Sequence, residues 1–212
     1  MTATAARTFE VRHLQLARAL FAALAAIMIT FSGDHSAPVG LSVFSGFAIA
    51  TGLVFLLSCW LVYPAGSRSV PMILGIVTIG VGMAGGLPPL RTDTLYFVLV
   101  IAWAFVTGVV ELIGGIRGRR TGDPAARDGV LIGILTIVLG IGLLLVNPAY
   151  SLEYFIAEAG RAFTLTGITI GVGLFGGYCA IVAVFLGIAG FSPRREALTE
   201  APGANTSAGE TV

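Results

Sequence analysis

Trp103 to Arg120 reads W-A-F-V-T-G-V-V-E-L-I-G-G-I-R-G-R-R: an apolar run, one carboxylate within it, and a basic stop. Extended back to Leu95, the run reaches Ile116 and is long enough to cross a ~30 Å hydrocarbon layer as one helix. Arg117, Arg119 and Arg120 then anchor its end on the cytoplasmic side, because cationic residues flanking a span are retained there. This helix orients the rest of the chain.

Working outward, five further apolar runs fall at 14–31, 39–63, 70–90, 129–147 and 162–191, giving six expected spans with 95–116. The composition agrees: 56% of the 212 residues are hydrophobic and 11% charged, against roughly 25% charged in a soluble domain. The expected fold class is an all-α integral membrane protein. Residues 1–13 form a polar cytoplasmic segment, 14–191 the transmembrane domain, and 192–212 a polar tail with no apolar period, expected to be disordered and cytoplasmic. The first run has signal-peptide character but no A-x-A site after it, so it is read as an uncleaved helix. The last run, some 30 residues, demands a strong tilt, a kink near Gly176 and Gly177, or projection beyond the bilayer.

With the amino terminus inside, Arg7, Arg12, Arg18, Arg68, Arg117, Arg119, Arg120, Arg127, Arg194 and Arg195 fall on the cytoplasmic side, and only Arg91 and Arg161 outside. That asymmetry predicts both termini in the cytoplasm of a cell whose inner membrane holds the chain.

Internal similarity organises the spans. Leu74–Gly82 (L-G-I-V-T-I-G-V-G) matches Ile132–Gly140 (I-G-I-L-T-I-V-L-G) at five of nine positions. Tyr96-Phe97 aligns with Tyr154-Phe155, Ala104-Phe105 with Ala162-Phe163, and Thr107-Gly108 with Thr166-Gly167 after a one-residue slip. Phe47, Ala48, Thr51 and Gly52 fall where Trp103, Ala104, Thr107 and Gly108 stand. The pattern predicts three hairpin repeats packed with pseudo-threefold symmetry about an axis along the membrane normal. Glycine makes up 29 residues, about twice the usual ~7% share, and Gly52, Gly108, Gly167 and Gly171 are expected at helix contacts. The pairs Gly129/Gly133 and Gly173/Gly177 are read the same way. So are two G-x-G-x-x-G matches, at Gly80–Gly85 and Gly171–Gly176, because neither follows a strand or opens a helix.

The G-I-L-x-I-x-x-G helix starting at Gly133, the Asn147-Pro148 turn and the W-A-x-x-x-G-x-x-E-x-I-x-x-I-R pattern of Trp103–Arg117 resemble the HdeD-like acid-resistance membrane proteins over roughly Val39 to Gly190. Two features depart from that pattern: Leu87-Pro88-Pro89-Leu90 replaces the Asn-Pro turn, and Arg161 stands where the second repeat has Trp103. The resemblance implies six helices and a role in acid or envelope stress, and brings no catalytic residues.

Candidate chemistry is sparse. Glu111 is the carboxylate inside a span, a default functional candidate whose structural alternative is pairing with an Arg or reaching the interface. A functional Glu111 implies that Glu111→Gln folds normally and loses any proton-coupled phenotype. On the outer side, Glu153, Glu158 and Arg161 approach helical spacing and suggest a surface helix. With Asp34, His35 and Asp93 they form a candidate contact or pH-sensing rim, the alternative being solvated loops. Two histidines and two cysteines, Cys59 and Cys179, supply no ligand set for a metal or haem, and no nucleotide or hydrolase motif is present. No cofactor is expected, and the net charge of +1 gives no reason to expect nucleic acid. Three functional classes remain: a non-enzymatic HdeD-like envelope protein; an accessory or scaffold subunit of a larger membrane complex, such as a lipid importer or respiratory assembly; and a small transporter or channel, with a larger membrane complex or a homo-oligomer as the candidate partners. Membrane lipids are the expected surroundings in all three.

Overall fold

The computed structural model describes residues 9–123, 125–157 and 160–192. Helices α1 (Val11–Phe31), α2 (Ala37–Leu61), α3 (Ser69–Gly86), α4 (Asp93–Arg120), α5 (Ala126–Leu145) and α6 (Gly167–Phe191) are each long and apolar enough to cross a membrane. The expected tail after Ser192, together with Arg7, Arg194, Arg195 and Glu158, lies outside the described residues.

Local chemistry explains the boundaries. The Thr92 hydroxyl accepts from Leu95 N at 3.2 Å to cap α4, and Asp93 follows in its first turn. The last turn of α4 carries Arg117, Arg119 and Arg120, so charge and helix dipole agree at both ends. Between α3 and α4 the two prolines form a 3-10 turn, Pro88–Leu90. Many side chains facing away from the bundle are apolar and largely exposed, among them Met28, Ile76, Met83, Leu144, Val184 and Ile188, as lipid-facing positions should be.

Residues 147–166 depart from expectation. In place of a surface helix, strands β1 (Ser151–Ile156) and β2 (Arg161–Thr166) pair antiparallel, with Glu153 opposite Thr164 and Ile156 opposite Arg161. Aromatic and β-branched residues, among them Tyr154, Phe155, Phe163, Thr164 and Thr166, favour a pleated ribbon here, and Gly160 takes the positive φ of 62° that the turn needs. β2 uses up residues 161–166, so α6 starts at Gly167 and is a continuous helix of 25 residues. At ~1.5 Å per residue it needs no kink to fit the bilayer.

The tight helix pairs are α2 with α3, α4 with α5, and α6 with α1. Two of them use the same device. A Cβ on Gly52 would meet Ile79 Cγ1 at 2.5 Å and Gly75 O at 3.0 Å; one on Gly108 would meet Ile137 Cγ1 at 2.8 Å and Gly133 O at 3.0 Å. Backbone therefore approaches backbone at both crossings, the geometry that small residues permit in membranes. Gly171 packs against the rings of Phe97 and Tyr96. Gly167 does not serve a helix crossing: its N–H donates to Tyr150 O at 2.9 Å, and a Cβ there would strike the backbone of Asn147 and Pro148. Gly173 and Gly177 have nothing within 4 Å of an added Cβ and are not packing positions.

Part of the expected sequence alignment fails in three dimensions. Thr107 lies mid-helix, whereas Thr166 caps the start of α6 by accepting from Thr169 N. Tyr96 and Phe97 are buried in α4, but Tyr154 and Phe155 are exposed on β1, and Ala162-Phe163 lies on β2. The positions that do correspond in contact are those around Gly52–Gly75 and Gly108–Gly133.

The centre of the bundle is aromatic. Phe44 meets Trp103 and Phe175 edge-on, both at 5.4 Å between centroids, and Phe47 meets the same two rings at 5.9 and 5.6 Å. Four interlocked rings thus close the core, each pair in the T-shaped geometry that aromatic quadrupoles prefer.

Candidate functional site

Beneath the aromatic layer lies the ion pair. Arg18, two turns into α1, donates from Nη1 to Glu111 Oε1 at 2.7 Å and from Nη2 to Oε2 at 3.2 Å. Both side chains are about nine-tenths buried, and the guanidinium lies over the Phe55 ring at 4.5 Å from its centroid. The fork of Arg matches the two carboxylate oxygens, and the stacked ring adds a cation–π contact, so both charges are held in one orientation. One turn earlier on the same face of α1, Gln15 Nε2 donates to Asp128 Oδ2 of α5. Through Gln15 and Arg18, α1 is tied by polar groups to α5 and α4.

This placement revises two sequence expectations. Arg18, counted from the sequence among the cytoplasmic-side arginines, is the partner of Glu111 inside the bundle. Nor is Glu111→Gln innocuous for folding, because it would leave a buried guanidinium that cannot discharge. Gln15 and Arg18, three residues apart in an otherwise apolar run, were the available signal, obscured by their closeness to the amino-terminal basic segment.

The pair forms the floor of a cavity of about 270 Å³ that all six helices help to line, opening at the end of the bundle that carries Arg117. Its wall includes Ser67 from the α2–α3 connection, Ser69 at the start of α3 and Asp123 from the α4–α5 connection. Arg117, Arg119 and Arg120 themselves are exposed at the end of α4. On the inner side of the pair, a void of about 20 Å³ is lined by Thr51, Thr78, Thr107, Thr136, Trp103 and Tyr178 among others. Trp103 Nε1 donates to Thr78 Oγ1 at 3.3 Å, and Thr136 Oγ1 lies 2.8 Å from Tyr178 OH. Cavity, ion pair, hydroxyl layer and aromatic layer follow one another along the bundle.

The outer candidates do not assemble into one site. Asp34 is engaged locally, accepting from Ser36 N at 2.9 Å and Ser36 Oγ at 3.0 Å to order the turn before α2. His35 is half-buried in the same turn, and Glu153 is exposed on β1. Arg161 lies over the Phe163 ring at 4.6 Å. Among the described residues none of these four is in an ion pair, and no group of three or more His, Cys, Asp or Glu is arranged to hold a metal. Cys59 and Cys179 are separate buried thiols.

No protein-family model, curated protein or solved structure matches the chain.

Proposed function

We propose that the protein is a non-enzymatic, multi-pass protein of the bacterial inner membrane, HdeD-like in kind, that acts in acid or envelope stress through the Arg18–Glu111 pair. Both termini are cytoplasmic, and three related helix pairs surround a pseudo-threefold axis; the equivalent glycine crossings at Gly52–Gly75 and Gly108–Gly133 support this, as does the arginine-rich end of α4 beside the cavity mouth.

The observation that carries the reading is a carboxylate buried in the spans yet standing at the floor of an open cavity. An ionisable group at that depth is costly unless it is used. Loss of the Glu111 charge would leave Arg18 uncompensated and weaken the contact that ties α1 to α4. The pair thereby links charge at the cavity floor to the packing of the bundle. The other titratable groups lining the two cavities are Tyr178 of α6, Arg117 of α4, Asp128 of α5, which is bonded to Gln15, and Tyr63 and Asp123 of the α2–α3 and α4–α5 connections.

The test is survival of the native host after acid challenge with the chromosomal copy replaced by R18Q/E111Q. Both substitutions are neutral, so neither leaves an uncompensated buried charge and the protein should accumulate normally, while the titratable carboxyl is gone. Survival should fall to that of a deletion strain. Wild-type survival with normal protein levels would overturn the reading.

A second reading, an accessory subunit of a larger membrane complex, is favoured by the hairpin. Each of its strands is paired on one side only, and Leu152 and Phe155 on β1 are 48% and 67% exposed. Purification in mild detergent should then recover a stoichiometric partner from wild type and lose it from F155S. Recovery of this chain alone in both cases would leave the first reading standing and remove the second.

A further inference from the structure

Thr51 and Thr107 occupy corresponding places, each one residue before a crossing glycine, yet their hydroxyls are used differently. Thr107 Oγ1 donates back to Trp103 O at 2.6 Å, and Thr136 Oγ1 does the same to Ile132 O at 2.7 Å. Thr51 Oγ1 is buried with no protein hydrogen-bond partner, in a residue only 5% exposed. A buried hydroxyl without a partner costs about 1–3 kcal/mol, so its neighbourhood requires an explanation.

The neighbourhood is the void of about 20 Å³ between the ion pair and the aromatic layer. A buried water needs roughly 10–15 Å³ of such space and two to four polar partners. The Thr51 hydroxyl is free to donate and accept. Thr78 Oγ1 accepts from Trp103 Nε1 and keeps its own hydrogen to donate. Thr107 Oγ1, having donated to a carbonyl, keeps lone pairs, and the Glu111 carboxylate also lines the space. Donors and acceptors are both present around a volume of the right size. A metal cation is disfavoured there because the Arg18 guanidinium lines the same void.

We propose that this void is a binding site for one water molecule that bridges Thr51 Oγ1 to the Glu111 carboxylate. The inference deepens the reading of the Arg18–Glu111 pair as the functional centre and rests on it for its functional meaning. The water satisfies the orphaned hydroxyl and carries hydrogen bonding one step from the ion pair toward the aromatic layer. Hydrogen bonding then ends at Phe44, Phe47, Trp103 and Phe175, whose rings interlock beyond it.

The experiment is infrared difference spectroscopy of the purified full-length protein in lipid, comparing ordinary with heavy-oxygen water, for wild type, T51V and T51S. Valine keeps the shape of threonine and removes the hydroxyl; serine keeps the hydroxyl. Wild type and T51S should show an isotope-sensitive band from a buried, weakly hydrogen-bonded water, and T51V should lose it. Absence of the band in wild type, or its persistence in a folded T51V, would overturn the proposal. Failure here leaves the acid-survival result of R18Q/E111Q unaffected, and an unchanged acid phenotype leaves the water band unaffected, so the two readings fail separately.

Discussion

Glu111→Leu is expected to destabilise the protein by roughly 3–5 kcal/mol, the usual cost of breaking a buried pair from one side. Arg18→Leu should cost less. The asymmetry comes from chemistry: a guanidinium does not discharge at any physiological pH, whereas a carboxyl left alone can take up a proton and become neutral. The deficit of R18L should accordingly shrink as pH falls, while that of E111L should not. The double variant R18L/E111L removes both charges and leaves leucines beside Phe55 and Leu74, which line the same cavities. It should recover most of the loss, because replacing a buried pair by apolar side chains is often neutral or stabilising. Denaturant unfolding in detergent, followed by fluorescence of the buried Trp103, measures all three against wild type and yields the coupling energy directly. A coupling near zero would mean that the 2.7 Å contact is not maintained in the protein in solution.

Gly133→Ala is expected to cost about 1–3 kcal/mol, as overpacking at a rigid contact does, and Gly133→Leu more. A Cβ at this position would lie 2.6 Å from Leu112 N and 2.8 Å from Gly108 O, both backbone atoms, so no side chain can rotate away to make room. The α4–α5 crossing would have to open, and with it the placement of Glu111 opposite Arg18. Gly173→Ala and Gly177→Ala are the controls: with nothing within 4 Å of the added carbon, both should leave stability within ~0.5 kcal/mol or raise it slightly through helix propensity. Thermal unfolding in one detergent distinguishes the sets. Equal effects at Gly133 and Gly173 would contradict the crossing geometry.

These two predictions differ in how far the residues announced them. Glu111 was legible because a carboxylate among so many apolar residues has few reasons to be there, and one of those reasons, pairing with an Arg, is what the fold supplies. The partner's identity was not legible. Arg18 is 93 residues away in the chain, and proximity to the amino-terminal arginines gave it an equally good explanation as a topology anchor. Gly173/Gly177 and Gly129/Gly133 carry the same spacing, yet only the latter faces a neighbour; spacing records that a helix face is smooth, not what lies against it. The hairpin was missed for a related reason. Glu153, Glu158 and Arg161 were weighed by charge spacing, while the alternation of Ser151–Tyr154 and of Phe163–Thr166 carried the period of a strand.

By itself the sequence determined the number of spans and their approximate positions, because transfer into a hydrocarbon layer depends on local composition alone and six windows pass that threshold. It also determined that glycine mediates some crossings and that Glu111 stands apart. Tertiary structure alone decided which helix covers which. Contacts between α1 and α6, the bond from Gln15 to Asp128, the seat of Arg18 and the orphaned hydroxyl of Thr51 all join residues remote in the chain, or depend on a rotation of a few tens of degrees about a helix axis. Helices apolar on all sides leave that rotation unspecified by pattern, and it is settled only when backbones, rings and the buried charge pair are packed together.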